Sequence, residues 1–302
     1  MSGTLYLCAT PIGNLQDMTP RVVETLRTVD VIAAEDTRNS IKLLNHFDIH
    51  TPMTSYHEYN KVEKGRQLVN QLLAGQNIAL ITDAGTPAIS DPGEVLVQLC
   101  YENQVPVTSL PGPAACITAL TLSGLSTRRF SFEGFLPSDK KERREVLQEL
   151  AEESRTILLY EAPHHLVKTL GELYDSLGER RITLCRELTK KFETVMPTTL
   201  DKAIQFYENE APRGEYVLVV EGRSREEKQK EAIASWQAVT IEEHMAYYEK
   251  QGLDNKSAMK QVAKDRGVGK REIYAYLHGA QTVPERNLFP ESGRVREETE
   301  LE

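Results

Sequence analysis

The chain has 302 residues, enough for two domains at roughly 150 residues each. Its 40% hydrophobic and 27% charged content is ordinary for a globular protein, and no run of about 18 apolar residues is present to cross a membrane. A net charge of −9 argues against non-specific coating of nucleic acid, so any basic surface must be local.

The opening MSGTLYLCATP has no basic stretch before an apolar core and reads as a first strand rather than a signal peptide. Residues 5–9 are strand-like, 20–28 helix-like, 31–34 strand-like and 39–47 helix-like. Helical spacing returns at 61–73, then a continuous apolar strand at 78–82, a helix at 94–101, a strand at 105–110 and a helix at 114–122. Alternation with near-continuous apolar strands predicts an α/β fold built on a mostly parallel sheet covered on both faces.

The pattern restarts after a joint at 124–128. Strand-like runs at 129–135, 156–160, 182–187, 192–197 and 216–221 are mixed with helices at 140–153, 164–177 and 200–209. More strands per helix predict a mixed sheet. Domains are therefore expected at 1–124 and 125–222. Residues 223–231 are almost entirely charged, and a helical module of two or three helices follows to about 279. The tail from 280 is polar and acidic, with six Glu against three Arg, and is expected to be disordered.

Cys8, Cys100, Cys116 and Cys185 lie singly in apolar segments. The absence of CxxC spacing predicts buried, reduced thiols in a cytoplasmic protein, not a zinc site or redox dithiol. No metal-ligand cluster is visible.

The most informative segments are the loops that follow strand ends: ATPIGNL (9–15), EDTR (35–38), DAGTPAISDPG (83–93) and PGPAA (111–115). Ligands of parallel sheets bind outside the carboxyl ends of the strands. Glycine admits close approach to the backbone and proline fixes loop shape, so such loops offer N–H and C=O groups to a nucleoside-like ligand. One such loop can simply turn the chain; four on one sheet edge predict a cleft. No GxGxxG follows the first strand and no GxxxxGK[ST] occurs, which disfavours dinucleotide and P-loop folds.

The segments ATPIGNL, AEDTR, SYHEYN, DAGTPAISDPG, LPGPAA, RRFSFEGFLP, RELTKKFE and RGEYVLVVEG occur in order between residues 9 and 222. Together they resemble the small-subunit rRNA methyltransferases of the tetrapyrrole methylase superfamily, which 2′-O-methylate a cytidine of 16S rRNA. The resemblance is strong over 4–222 and weaker over 232–279. It implies a two-domain, class III S-adenosylmethionine (SAM) methyltransferase fold with a small C-terminal helical domain, the cofactor lying between the two α/β domains. By position, Pro11 would line the entrance. Ala84, Gly85, Thr86 and Ile89 would hold SAM through backbone groups and an apolar contact. Ala114 and Ala115 would touch it from the next loop, and Tyr160, Leu188 and Gly214 would close over it. Ala114 stands where a small polar residue or Cys often follows LPGP, and HEYN replaces HEHN. The superfamily also implies a homodimer.

A ribose 2′-OH is a weak nucleophile, so a base or a stabilising cation is expected. Glu187 and Lys190, three apart in RELTK, are the candidate catalytic pair, with a desolvated Lys190 of lowered pKa accepting a proton. The same residues with Arg186 can instead form a structural salt-bridge network. Asp36 and Arg38 are expected on the RNA side of the cleft, Arg38 on a phosphate, or else in an interdomain ion pair. Tyr56 and His57 are candidates to stack on a flipped base, or parts of a packed turn.

Residues 256–266, Gly267-Val268-Gly269 and 270–277 read as helix–turn–helix. Between 254 and 279 six Lys/Arg face three Asp/Glu, a modest basic footprint that makes Lys270 and Arg271 candidate RNA contacts. A solvated helical pair capping an enzyme has the same pattern. Three functions follow: methylation of 16S rRNA on the small ribosomal subunit, methylation of a tetrapyrrole-like small molecule, or a non-enzymatic RNA-binding or assembly factor. The local basic helices and the intact cleft loops favour the first.

Overall fold

The computed structural model describes residues 2–224, 233–236 and 238–278. Its first sheet is wholly parallel and contains β1 (Leu5–Cys8), β2 (Val31–Ala34), β3 (Met53–Ser55), β4 (Ile78–Ile81) and β5 (Val107–Leu110) in the order β3-β2-β4-β1-β5. The strands read as apolar runs because both faces are covered. Leu5, Leu7, Ile78 and Leu80 pack with Leu68 and Leu72 of α3 (Lys61–Leu73) and Leu96 of α4 (Gly93–Glu102). Cys8, Ile32, Ala79 and Ile81 pack with Val22 and Leu26 of α1 (Pro20–Thr28) and Leu44 of α2 (Thr37–His46). The entry to α1 is set locally: the Thr19 side chain accepts from Val22 N at 3.2 Å, and Pro20 occupies the first turn, where no N–H is needed. β3 pairs with β2 alone and has no apolar alternation, which is why the sequence pattern passes over it.

The second sheet is mixed. β6 (Phe130–Phe135), β7 (Thr156–Glu161), β8 (Arg181–Arg186), β9 (Thr194–Thr199) and β10 (Tyr216–Val220) lie in the order β6-β7-β10-β8-β9. Only β6 and β7 run parallel, so the other pairings are antiparallel. β10 is buried along its whole length. Its alternation splits between two cores: Leu218 and Val220 join Leu166, Leu170 and Leu173 of α7 (Pro163–Leu177). Val217 and Val219 join Cys116, Ala119 and Leu120 of α5 (Ala115–Leu122). α5 therefore leaves the first sheet and packs on the second through one face, while Ile117 and Leu122 on its other side stay exposed. α6 (Lys140–Glu152) and α8 (Leu200–Asn209) complete the outer cover.

Both sheets belong to one compact unit, Met1–Arg223, and a second unit spans Ser224–Glu302. In the second unit α9 (Ile241–Lys250), α10 (Asn255–Asp265) and α11 (Lys270–Leu277) enclose a small core of Met245, Ala258, Met259, Val262, Ala263 and Ile273. The expected tail from 280 lies outside the described residues, as does most of the charged stretch at 223–231. All four cysteines are buried and unpaired. Burial pushes the thiol of Cys8 up to about 12, and those of Cys100 and Cys185 up to about 11, so they stay protonated. No described helix is long and apolar enough to cross a membrane.

Candidate functional site

The loops at the carboxyl ends of the first sheet are cross-linked through the one that follows β4. Thr10 and Gly85 exchange backbone hydrogen bonds of 2.8 and 3.1 Å. Asp36 N donates to Asp83 Oδ1 at 3.2 Å, and Thr82 Oγ1 donates to Glu35 Oε2 at 2.7 Å. Thr86 Oγ1 donates to Pro113 O at 2.9 Å. The central position of β4 lets one loop reach the loops of β1, β2 and β5. Asp91 shapes that loop from within. Its carboxylate accepts from Ala88 N, Ile89 N and Gly93 N at 3.0, 3.2 and 2.8 Å, holding Ala88 and Ser90 at positive φ. Burial raises its pKa despite these three donors.

A pocket of about 440 Å³ opens beside these loops and is completed by the second sheet. Ala84, Gly85, Thr86, Ile89, Ala114 and Ala115 line one wall. Tyr160 and Leu188 line the other. Eight of the ten residues named for cofactor binding thus line a single pocket. Pro11 and Gly214 do not; their chain neighbours Ile12 and Glu215 do. Two helices begin on this pocket without a side-chain cap, α5 after Ala114 and α7 after Ala162. At α7 the Glu161 side chain already accepts from Ala162 N at 2.8 Å, so the open positive end is that of α5, which favours an anionic group of a ligand. Sequence reading did not single out Phe135, Glu161 or Glu215 as pocket residues; each adjoins a recognised motif residue, but facing direction is settled by the sheet.

Glu187, Lys190 and Glu215 stand together on the pocket wall. Lys190 Nζ lies 2.9 Å from Glu187 Oε1 and 2.8 Å from Glu215 Oε2. Glu215 N also donates to Glu187 Oε1 at 3.0 Å. Gly214 makes this approach possible: at φ +76°, a Cβ there would lie 2.5, 2.7 and 2.8 Å from Glu187 Cγ, Cδ and Oε1. The expectation that Lys190 has a lowered pKa is corrected here. Burial alone lowers it, but the hydrogen bonds and charges of Glu215 and Glu187 outweigh that and raise it. Burial likewise raises Glu187, and the bonds from Lys190 and Glu215 N reverse the sign and lower it. Lys190 is therefore a cation at neutral pH, not a proton acceptor.

Asp36 and Arg38 pair with each other within one loop, Arg38 Nη2 to Asp36 Oδ2 at 2.8 Å, rather than between domains. The Arg38 hydrogen bonds hold the Asp36 carboxyl at about 2, and the Arg38 side chain is 88% exposed. Tyr56 is a correction. It is 1% exposed, its hydroxyl donates to Pro92 O at 3.0 Å, and no face is free for a base. The exposed ring on that segment is Tyr59. His57 is half-buried beside Asn60 in the turn that starts α3.

In the second unit Lys270 and Arg271 are exposed at the start of α11, with Lys256, Lys260 and Lys264 exposed on α10. Arg266 has a structural role: it donates to Thr240 O at 3.0 Å, to Val239 O, and to His244 Nδ1 at 3.3 Å. His244 is fully buried and stacks on Trp236 at 3.6 Å. Among the described residues no group of three or more His, Cys, Asp or Glu is placed to hold a metal ion.

A parallel sheet with a loop-built pocket closed by a second, mixed sheet defines the class. Residues 4–204 match the family described as Tetrapyrrole (Corrin/Porphyrin) Methylases, and the chain belongs to that family. It is 47% identical over 276 residues to the ribosomal RNA small subunit methyltransferase I of Halalkalibacterium halodurans, covering 91% of this chain and 95% of that one. It is similar to the proteins of the same name from Bacillus subtilis (45%, covering 91% and 94%) and Escherichia coli O157:H7 (42%, covering 91% and 94%). Solved structures of diphthine synthase and a Thermus thermophilus uroporphyrin-III-C-methyltransferase share the fold. Their TM-scores are 0.56 and 0.52 at 13% and 16% identity, covering 72% of this chain and 90% and 94% of theirs.

Proposed function

We propose that the protein transfers the methyl group of S-adenosylmethionine to the ribose 2′-oxygen of a decoding-centre cytidine in 16S rRNA, acting on the small ribosomal subunit. The observation that carries this reading is the similarity just described. Relatives named ribosomal RNA small subunit methyltransferase I align over 276–279 residues, well past the family-matched span of 4–204. The reading includes a cytoplasmic location, because the ribosomal substrate is cytoplasmic, and the homodimer that the resemblance to the superfamily implies.

The pocket suits this cofactor on several counts. Its volume of about 440 Å³ falls within the range of roughly 300–1,000 Å³ usual for small-molecule sites. The uncapped start of α5 suits the cofactor's carboxylate. The backbone of Ala84–Thr86 and the apolar surfaces of Ile89, Leu188 and Tyr160 supply polar and apolar contact. Bound there, S-adenosylmethionine supplies an electrophilic methyl carbon.

The protein's own contribution is alignment and charge. An in-line displacement needs the alcohol oxygen held against the methyl carbon, and positioning of that kind supplies several kcal/mol of the barrier, out of roughly 7–11 available to ideal orientation. A bound cofactor would give up its methyl group to the alcohol oxygen, and the residues around that oxygen would have to take the 2′-OH proton. Lys190, held protonated, orients the alcohol oxygen and stabilises the negative charge that grows on it. Glu187 and Glu215, on either side of the ammonium, are the acceptors for the proton. Arg38 and the basic residues of α10 and α11 bind phosphates.

The experiment is site mapping. 16S rRNA from a strain lacking the protein should lose one ribose 2′-O-methylation at a decoding-centre cytidine, and purified protein with S-adenosylmethionine should restore it on small subunits. An unchanged methylation map with methyl transfer to a porphyrinoid would replace this reading with the tetrapyrrole one.

A further inference from the structure

The motif RRFSFEGFLP carries an exposed aromatic ring, Phe135, beside the pocket. β6 and β7 pair in register at Phe132 with Leu158, but the register then shifts, so that Gly134 faces Leu159 and Phe135 faces Tyr160. Glu133 is the extra residue of a β-bulge. In a regular strand residues 132 and 135 point to opposite faces, because side chains alternate. The bulge absorbs one residue and brings both rings to the same face. Both pack edge-on against Tyr160, with centroids at 5.0 Å for Phe132 and 5.7 Å for Phe135. Gly134 is required for this. It sits at φ +61°, and a Cβ there would lie 2.9 Å from Ser90 Oγ in the loop after β4.

The three rings grade outward. Phe132 and Tyr160 are half-buried, while Phe135 is 60% exposed and lines the pocket. A single exposed apolar residue means little by itself. This one is aimed by a bulge, braced by the half-buried ring of Tyr160, and set in the wall of the pocket that holds Glu187 and Lys190. Gly85, Cys116, Cys185, Leu188 and Val217 are among the buried residues that line that pocket. A cofactor seated against these buried residues leaves the exposed aromatic face of Phe135 for the second substrate.

We propose that Phe135 is the platform on which the base of the methyl-acceptor nucleotide stacks, aimed into the pocket by the bulge at Glu133–Gly134. This rests on the rRNA reading and names a residue that holds the acceptor. Aromatic faces bind bases with little regard to sequence, so the ring sets acceptor affinity and orientation, not the chemistry at the methyl carbon.

The test uses the full chain, small ribosomal subunits as acceptor and labelled S-adenosylmethionine. Three variants, Phe135→Ala, Phe135→Leu and Phe135→Trp, are compared in acceptor KM, kcat and cofactor Kd. Loss of one base stack should raise acceptor KM about ten- to a hundredfold in the Ala and Leu variants. The Trp variant should stay within about threefold, because it keeps a π face, and cofactor Kd should stay within about twofold in all three. Wild-type acceptor KM in Phe135→Leu would reduce the role to apolar bulk and overturn the proposal. Cofactor Kd rising in step with acceptor KM would move the ring to the cofactor and overturn it too. Active wild-type protein with an unaltered Phe135→Ala variant defeats the platform alone. Wild-type protein that transfers no methyl to rRNA defeats the rRNA reading and the platform together.

Discussion

Lys190 and Glu187, three residues apart in the chain, meet through a hydrogen bond of 2.9 Å on the pocket wall, and each alters the charge behaviour of the other. Lys190→Met should lower the single-turnover rate of methyl transfer by about a hundredfold, the scale of removing one preorganised electrostatic group. Cofactor Kd should change little, because the ammonium is directed to carboxylates. A rate within a factor of two of wild type would remove Lys190 from the mechanism.

The same pair has a pH signature in stability. Glu187 titrates below its ordinary 4.5 in the folded protein, so its contribution is complete above 4.5 and is lost as pH falls through the lower folded value. Lys190 titrates above 10.5, so its contribution is complete below 10.5 and is lost as pH rises through the folded value. Between these limits the pair contributes a constant amount. Denaturant midpoints of wild type and Lys190→Met, compared across pH, should therefore differ by a constant through neutrality and converge at both ends.

Gly214→Ala tests the close approach that permits this cluster. The variant combines a positive φ with a Cβ 2.5–2.8 Å from Cγ, Cδ and Oε1 of Glu187. Gly124→Ala is the control, at φ +69° with nothing within 4 Å of its Cβ. Backbone strain of about 1–3 kcal/mol is common to both. Only Gly214→Ala should also lose methyl transfer. Equal activity in the two variants, measured at equal folded fraction, would contradict the contact.

His244 carries a second pH dependence. Burial lowers its pKa from 6.5, Arg266 adds to the effect, and Asp265 opposes it with an oxygen 3.4 Å from Nε2. A buried neutral histidine contributes stability above 6.5 that is lost as pH falls through the folded value. Trp236 is the chain's single tryptophan and stacks on His244, so its fluorescence reports this unit. The unfolding midpoint read by that fluorescence should fall as pH drops below 6.5, and His244→Phe should flatten the dependence. A midpoint independent of pH in wild type would count against the buried neutral state.

Lys270 and Arg271 test the basic footprint. Reversing both charges should weaken rRNA binding and reduce the salt slope by about one unit per lost phosphate contact. Cofactor affinity should not move. Unchanged RNA affinity at low and moderate salt would assign α10 and α11 a structural role only.

The order of the elements apart from β3, the parallel character of the first sheet and the loops that build the pocket were legible in the chain. They depend on local patterns: apolar runs, helical spacing and Gly/Pro loops after strands. Sequence order alone determined that Ala84–Thr86, Ile89, Ala114 and Ala115 share a sheet edge, because every strand of a parallel sheet ends on the same side. Tertiary structure decided the rest. Whether Tyr56 is a free ring or a core residue depends on Pro92 and α4, 36 or more residues further along the chain. The sign of the Lys190 shift depends on Glu215, 25 residues away, and on the gap left by Gly214. The direction of Phe135 depends on a one-residue register shift that reverses the face of every side chain beyond it. Hydrophobic periodicity is a property of neighbours in sequence, whereas charge pairing, burial and strand register are properties of neighbours in space.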